Sequence, residues 1–230
     1  MKTYQIHLLR NGRTDDSASG RYIGHTDAVL SPEGLAEIQL LKGQAEYPDV
    51  KAVFTSPLKR CSQTAHAIYP ERESIVMREL IEYDFGEYEG KSPEQLAGDE
   101  GFAAWLAGGP DAAPPFGESN AAFSARVCGC FAKIVEGMMK AQVTSAAIVT
   151  HGGVIMTILS AFGIPELPMP EWRTPSACGY TVRITPSVWM RGQKAEVIAE
   201  IPAFPQEGEL PDLTAKAFYA ELEELRPEEG

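Results

Sequence analysis

Cysteine and positive charge are both scarce in this chain of 230 residues. It has four cysteines, and its 20 Lys and Arg face 32 Asp and Glu, a net charge of −12. Four scattered cysteines do not make the framework of a disulfide-stapled domain. The negative charge argues against binding to nucleic-acid backbones or anionic membranes. An anionic small molecule therefore requires a locally basic pocket.

Long apolar runs and metal-ligand clusters are also missing from the sequence. No uncharged apolar run reaches the roughly 18 residues of a membrane span, and the N-terminal residues have no apolar signal core. Cys128 and Cys130 are separated by a single residue, which is too close for the usual zinc-binding pair. We therefore expect a cytoplasmic protein that uses no metal and no other cofactor.

Strand and helix patterns alternate through the first 160 residues of the chain. Apolar, β-prone segments at 4–9, 50–55 and 146–150 are each followed by a polar turn and a helical pattern. This order predicts an α/β fold, a three-layer αβα sandwich with a mainly parallel central sheet. Two later segments, 180–184 and 195–201, are predicted as antiparallel strands. We expect a single domain over 1–230, with a helical cap at about 91–118 and an acidic C-terminal helix at about 212–225.

Two Ser-Pro pairs predict helix starts. Ser31 and Ser56 are suited to cap a helix, and a proline follows each of them at the first helical position. In the first of these helices, Leu35, Ile38 and Leu41 are predicted to form the buried face.

Four polar sites share one predicted position, just beyond a strand or at the start of a helix. They are Arg10 with Asn11, then Arg60, Glu82 and His151. The carboxyl ends of neighbouring parallel strands meet at one sheet edge, where ligands bind in open α/β folds. Two guanidinium groups and the helix start after His151 would suit a tetrahedral oxyanion such as phosphate. Arg10 and Arg60, each taken alone, could equally be solvated surface groups, and solvation is the default expectation for Glu82 taken alone.

Six segments of the chain carry a family resemblance over roughly residues 3–200. They read LLRNGRT from residue 8, GRYIGHTD from 20, TSPLKRCSQTA from 55, LIE with FGEYEG from 80, FGES from 116 and THGG from 150. In the order and spacing of these segments, the chain resembles the phosphoglycerate-mutase-like branch of the histidine phosphatase superfamily. Within this branch it is most similar to α-ribazole phosphatases and other small-molecule phosphatases.

Position 11 departs from the family pattern. The family motif is Arg-His-Gly, in which the histidine is the nucleophile that becomes phosphorylated, whereas this chain has Asn11. An amide nitrogen is not basic and cannot attack phosphorus as an imidazole does. Two explanations stay open: a change introduced to trap a ligand, or a natural member that has lost turnover.

The resemblance implies a role for each matching residue when histidine stands at position 11. Arg10, Arg60 and His151 would hold the phosphoryl oxygens while the histidine attacks, and Glu82 would act as general acid and then as general base. The expected partner is a small-molecule phosphate ester. Hydrolysis is favoured over phosphoglycerate mutase activity because the segment after Glu82 lacks the longer mutase insertions. A metabolite-binding pseudophosphatase remains the alternative, as does a scaffold that uses the C-terminal helix.

Further residues receive weaker expectations from the same resemblance. Gly152 is expected to bind phosphate through the start of its helix, and Ser17 stands where many relatives have a phosphate-binding asparagine. The residues expected to shape specificity are Tyr22, Ile23 and Gly24. The cap group at 102–106 either packs against the domain or covers the site. The sequence does not decide whether the protein is a homodimer.

Overall fold

The computed structural model describes residues 2–204, which form one seven-stranded sheet with helices on both faces. The strands are β1 Tyr4–Arg10, β2 Ala52–Thr55, β3 Ser74–Val76, β4 Ser145–Thr150, β5 Gly163–Ile164, β6 Gly179–Ile184 and β7 Ala195–Ile201. The helices are α1 Asp15–Ala18, α2 Pro32–Gln44, α3 Lys59–Ile68, α4 Pro93–Leu96, α5 Glu100–Leu106, α6 Asn120–Ala141, α7 Gly152–Phe162 and α8 Pro186–Gly192. Short 3-10 turns lie at Arg78–Leu80, Gly86–Tyr88 and Met169–Trp172.

The sheet is mainly parallel, as the sequence predicts. Its strand order is β3-β2-β4-β1-β6-β7-β5. Neighbouring strands from β3 to β1 run parallel, and β6 pairs antiparallel with both β1 and β7. The carboxyl ends of β1, β2, β3 and β4 therefore share one edge of the sheet.

Two hydrophobic clusters fill the spaces on opposite faces of the sheet, because successive side chains of a strand point to opposite faces. From β1, Ile6 and Leu8 pack in one cluster, with α6 and α7, and Leu9 packs in the other, with α2 and α3. This places helices on both faces and confirms the three-layer arrangement.

Two predictions about helices are wrong in detail. On α2 the buried residues are Gly34, Ile38 and Leu41, whereas Leu35 is exposed. Gly34 packs against the backbone of Arg13, where a larger residue would not fit because its Cβ would lie 2.3 Å from the carbonyl oxygen of Arg13. The second helix begins at Lys59 rather than directly after Ser56, because the Ser56 hydroxyl bonds the His151 ring instead of capping the helix.

The segment predicted as a cap contains α4 and α5, followed by a connection without regular structure up to α6. A third hydrophobic cluster holds it in place, in which Tyr88, Leu96 and Phe102 are buried and Trp105 packs against them. Leu106, predicted as part of this apolar group, is exposed. The predicted C-terminal helix at 212–225 lies outside the described residues. Across residues 2–204, no helix has the length and apolar character needed to cross a membrane.

Candidate active site

The pairing of β1 with β4 brings two predicted site residues together. Arg10 is in register with Thr150 at the ends of these strands. The next residue of β1, Asn11, donates its backbone N–H to the carbonyl oxygen of Thr150 at 2.8 Å. Asn11 and His151 therefore leave the sheet side by side.

The Asn11 amide makes one contact at each end. Its Nδ2 donates to the carbonyl oxygen of Gly12 at 2.8 Å, and its Oδ1 lies 3.1 Å from Nδ1 of His151. The residue is buried, with 9% of its surface exposed. A nearly inaccessible amide thus occupies the centre of the residue group.

His151 precedes α7 and is surrounded by polar side chains. Its Nε2 lies 2.7 Å from the Ser56 hydroxyl, and its Nδ1 lies 3.3 Å from Nε of Arg60. A neutral ring uses Nδ1 either to accept from Arg60 or to donate to Asn11, but not for both. Burial, followed by the charges of Arg60 and Arg10, lowers the pKa of His151 well below its usual value. Burial and the two guanidinium charges thus favour the neutral form of the ring.

Arg60 lies in the first turn of α3 and is almost fully buried. Besides His151, its guanidinium donates to the carbonyl oxygens of Thr26 at 2.7 Å and Gly24 at 2.8 Å. These bonds fix the 23–26 loop against the sheet edge. Because arginine stays charged in proteins, the site keeps a buried positive charge close to the His151 ring.

Glu82 follows the 3-10 turn after β3 and completes the group. Its two carboxylate oxygens accept the backbone N–H groups of Tyr83 at 2.9 Å and Gly153 at 3.0 Å. Burial raises the pKa of Glu82, and this effect exceeds the opposing effect of the two N–H groups, Arg60 and Arg10. A carboxyl with a raised pKa keeps its proton to higher pH, which suits a general acid.

A cavity of about 390 Å³, here called the arginine cavity, opens beside this group. Its wall includes Arg10, Arg21, Arg173, Gly152 and Glu82. Asn11, Arg60 and His151 are not part of the wall but adjoin residues that are. Three guanidinium groups make the cavity a basic pocket in an acidic protein, as an anionic ligand requires.

Some of the remaining predicted residues line the arginine cavity, and others do not. Tyr22, Ile23 and Gly152 line the arginine cavity. Gly24 is buried, and a Cβ at this position would lie 2.0 Å from the carbonyl oxygen of Tyr83, so the backbone at Gly24 packs closely against that of Tyr83. The Ser17 hydroxyl forms a capping box with Thr14 and does not line the arginine cavity. A phosphate contact by Ser17 stays a prediction.

No other histidine stands in the place of Asn11. His7 lies inside β1, with Nδ1 2.9 Å from the Thr181 hydroxyl, and burial lowers its pKa to about 4. The ring of His25 donates through Nε2 to the carbonyl oxygen of Glu82 at 3.1 Å. Both rings are thus engaged in structural contacts.

Comparison with known proteins gives this residue group a family. The model of the histidine phosphatase superfamily (branch 1) matches residues 6–191, which is most of the chain. The chain belongs to the histidine phosphatase superfamily. This match includes every residue of the group described above.

Individual relatives in the superfamily are phosphatases. The chain is 28% identical over 185 residues to an adenosylcobalamin/alpha-ribazole phosphatase of Escherichia coli K12, which covers 78% of this chain and 90% of that protein. It is 28% identical over 179 residues to an acid phosphatase of Mycobacterium tuberculosis, covering 74% and 80% of the two chains. The crystal structure of the alpha-ribazole phosphatase from Shigella flexneri aligns with a TM-score of 0.73 at 26% identity, covering 89% of this chain and 100% of that one.

Arg126 and Glu118, which were not identified from the sequence as site residues, hold Glu82 in place. Arg126 of α6 donates to the carbonyl oxygens of Ile81 at 2.7 Å and Glu82 at 2.8 Å, and to that of Glu79 at 2.8 Å. The same guanidinium is paired with the carboxylate of Glu118. The only available signal was Glu118 in the FGES segment, because an arginine eight positions after Glu118 looks like a surface charge.

We expect Arg126→Met to lower the free energy of unfolding by about 3 kcal/mol, because it leaves three carbonyl oxygens and a part-buried carboxylate without their donor. Arg183→Met is the matched control, since Arg183 pairs with Glu196 at the surface and exposed pairs contribute about 0–1 kcal/mol. Urea denaturation measures both. Equal losses in the two variants would contradict this account of Arg126.

The described part of the chain has no group of three or more His, Cys, Asp or Glu side chains placed to hold a metal ion. None of the four cysteines, all of which lie in the described part of the chain, forms a disulfide bond.

Proposed function

We propose that this chain binds small-molecule phosphate monoesters at the sheet edge, and that Asn11 stands where the phosphorylated nucleophile of the superfamily stands. With histidine at position 11 the site is a phosphomonoester hydrolase. With Asn11 it binds the ester and turns it over very slowly. The single observation that carries this proposal is the Asn11 amide, held among Arg10, Arg60 and His151 by its bond to the Gly12 carbonyl oxygen.

The bond to Gly12 explains how an imidazole would work at this position. A histidine that donates Nδ1–H to the same carbonyl oxygen keeps the proton on Nδ1 and leaves the lone pair of Nε2 free to attack. The asparagine amide reproduces the donor through Nδ2, but its other end is an oxygen with no nucleophilic nitrogen beyond it. The contact is retained, and the reactive atom is lost.

Two steps would complete hydrolysis when histidine occupies position 11. In the first, Nε2 forms a bond to phosphorus, the bond from phosphorus to the ester oxygen breaks, and the Glu82 proton moves to the departing alcohol. In the second, Glu82 takes a proton from water, the water oxygen bonds to phosphorus, and the phosphohistidine bond breaks. The arginines and the start of α7 oppose the negative charge that builds up on the phosphoryl oxygens.

A natural pseudophosphatase that binds a phosphorylated metabolite is the second candidate. Asn11 favours this second candidate, because binding of a phosphorylated metabolite requires the arginines and the N–H donors but not a nucleophile. The same residues would then serve recognition alone.

We expect inorganic phosphate to bind this chain, and Arg60→Ala to weaken the binding at least about tenfold, since one charge-assisted bond contributes roughly 1.5–3 kcal/mol. Calorimetry measures both affinities, and Arg10→Ala provides a second test at a less buried position. Arg183→Ala is the control, because it removes the same charge from an exposed pair away from the site. Phosphate affinities that are equal in the parent, Arg60→Ala and Arg10→Ala proteins would overturn the proposed site.

A further inference from the structure

A second cavity adjoins the arginine cavity, with a volume of about 740 Å³. It is here called the aromatic cavity. Four residues lie in the walls of both cavities, namely Glu82, Phe85, Gly153 and Met156. The carboxyl of Glu82, which accepts the N–H of Gly153, therefore stands at the boundary between them.

Six of the fourteen wall residues of the aromatic cavity carry aromatic or thioether side chains. Tyr83, Phe85, Trp105 and Phe123 supply the rings, and Met156 and Met169 the thioethers. The rings pack against one another, with centroid distances of 5.3 Å for Tyr83 and Phe85 and 5.0 Å for Tyr83 and Phe123. A wall of mutually packed rings offers a preformed apolar surface at little ordering cost.

The polar ends of these rings are already engaged within the protein. The Tyr83 hydroxyl donates to the carbonyl oxygen of Glu118 at 2.6 Å and accepts the indole N–H of Trp105 at 3.2 Å. The ring faces, rather than the polar groups, are thus left for a ligand. Asn120, Ser124 and Thr157 add a few polar side chains to the wall.

Charge sets the two cavities apart. The arginine cavity has three guanidinium groups, whereas no Lys, Arg or His is among the wall residues described for the aromatic cavity, and its acid is Glu82. A second phosphate or a carboxylate in the aromatic cavity would lie near Glu82 without a cation. The cavity therefore suits an uncharged group.

We infer that the aromatic cavity binds the alcohol portion of the phosphate ester, and that the substrates are monoesters of bulky, uncharged, apolar or ring-bearing alcohols. This inference rests on the proposed function. An ester with its phosphoryl group in the arginine cavity and its alcohol in the aromatic cavity places the bridging oxygen beside Glu82. A general acid must lie beside the bridging oxygen, because its proton moves to this oxygen when the bond to phosphorus breaks.

Calorimetry on the chain with Asn11 tests the inference by binding alone. The probes are inorganic phosphate, glycerol 1-phosphate, phenyl phosphate and 2-naphthyl phosphate. We expect 2-naphthyl phosphate to bind at least about 30-fold more tightly than glycerol 1-phosphate, with phenyl phosphate between them, because of the apolar area buried. Binding of the naphthyl ester should also show the more negative heat-capacity change.

A substitution that fills the aromatic cavity gives the second measurement. Ala121 is an exposed residue of α6 that lines this cavity, and Ala125 is an exposed residue of the same helix that does not. We expect Ala121→Trp to weaken 2-naphthyl phosphate binding at least about tenfold and to leave the affinity for inorganic phosphate unchanged. Ala125→Trp should change neither, and thermal melting verifies that both variants are folded.

The outcomes separate this inference from the proposed function. Phosphate binding that is absent, or that does not respond to Arg60→Ala and Arg10→Ala, overturns both. Phosphate binding that depends on these arginines, with equal affinities for the glycerol and naphthyl esters, overturns the inference alone. Unchanged naphthyl binding in Ala121→Trp also overturns it, because the ring would then lie elsewhere.

Discussion

Asn11→His is expected to raise the rate of 4-nitrophenyl phosphate hydrolysis at least about 10³-fold, since losing the nucleophile of a covalent mechanism typically costs more than this. The physical reason is that the imidazole keeps the bond to the Gly12 carbonyl oxygen and adds a basic nitrogen at its other end. Initial rates of nitrophenol release by the two purified proteins measure the effect.

Asn11→Gln is the matched control for this gain. The longer amide reaches further into the site but has no basic nitrogen, so it should remain as slow as the parent chain. An Asn11→His protein that is folded, binds phosphate and stays inert would favour the pseudophosphatase candidate. A parent chain as fast as Asn11→His would mean that the nucleophile lies elsewhere.

Glu82→Gln is expected to produce the second largest effect, in the Asn11→His background. With glycerol 1-phosphate we expect kcat to fall by about 10²–10⁴-fold, because the departing alkoxide is no longer protonated. With 4-nitrophenyl phosphate the leaving group departs readily as an anion. The first turnover should then be nearly unaffected, and the slow second step should appear as a burst of one equivalent of nitrophenol.

The pH profile gives an independent signature of the same carboxyl. Because burial raises the pKa of Glu82, its proton is present below that pKa and is lost as pH rises through it. We expect glycerol 1-phosphate hydrolysis by Asn11→His to decline across this range, and the decline to be missing in the double variant. Glu87→Gln, at an exposed position nearby, should behave like Asn11→His. A profile that Glu82→Gln leaves unchanged would contradict the assignment.

The parts of the fold with strong local patterns could be predicted from the sequence. β1 and β4 have continuous apolar patterns, and their observed limits lie within one residue of the predicted ones. α8 was missed because seven residues contain too little periodicity to stand out between two strands. β5 has two residues, and its pairing with β7 is set by tertiary contacts that no local pattern encodes.

The sequence predicted that each site residue lies just beyond a strand or at the start of a helix. It did not predict the hydrogen-bonding partners of these residues. The strand ends placed Asn11 and His151 together, as parallel pairing requires. Ser56 was interpreted as a helix cap because that is its usual local role, whereas it bonds a ring that is 95 residues away in sequence. Arg126 was missed for a similar reason, since its acceptors are carbonyl oxygens that carry no signal in the sequence.

Mass spectrometry of the Asn11→His protein tests the central claim most directly. The protein is mixed with 4-nitrophenyl phosphate, quenched during turnover without acid, and digested to locate any added phosphoryl group. The account predicts one acid-labile phosphoryl group, bound to the histidine introduced at position 11. A phosphoryl group on another residue, or rapid hydrolysis with no phosphorylated protein, would contradict it.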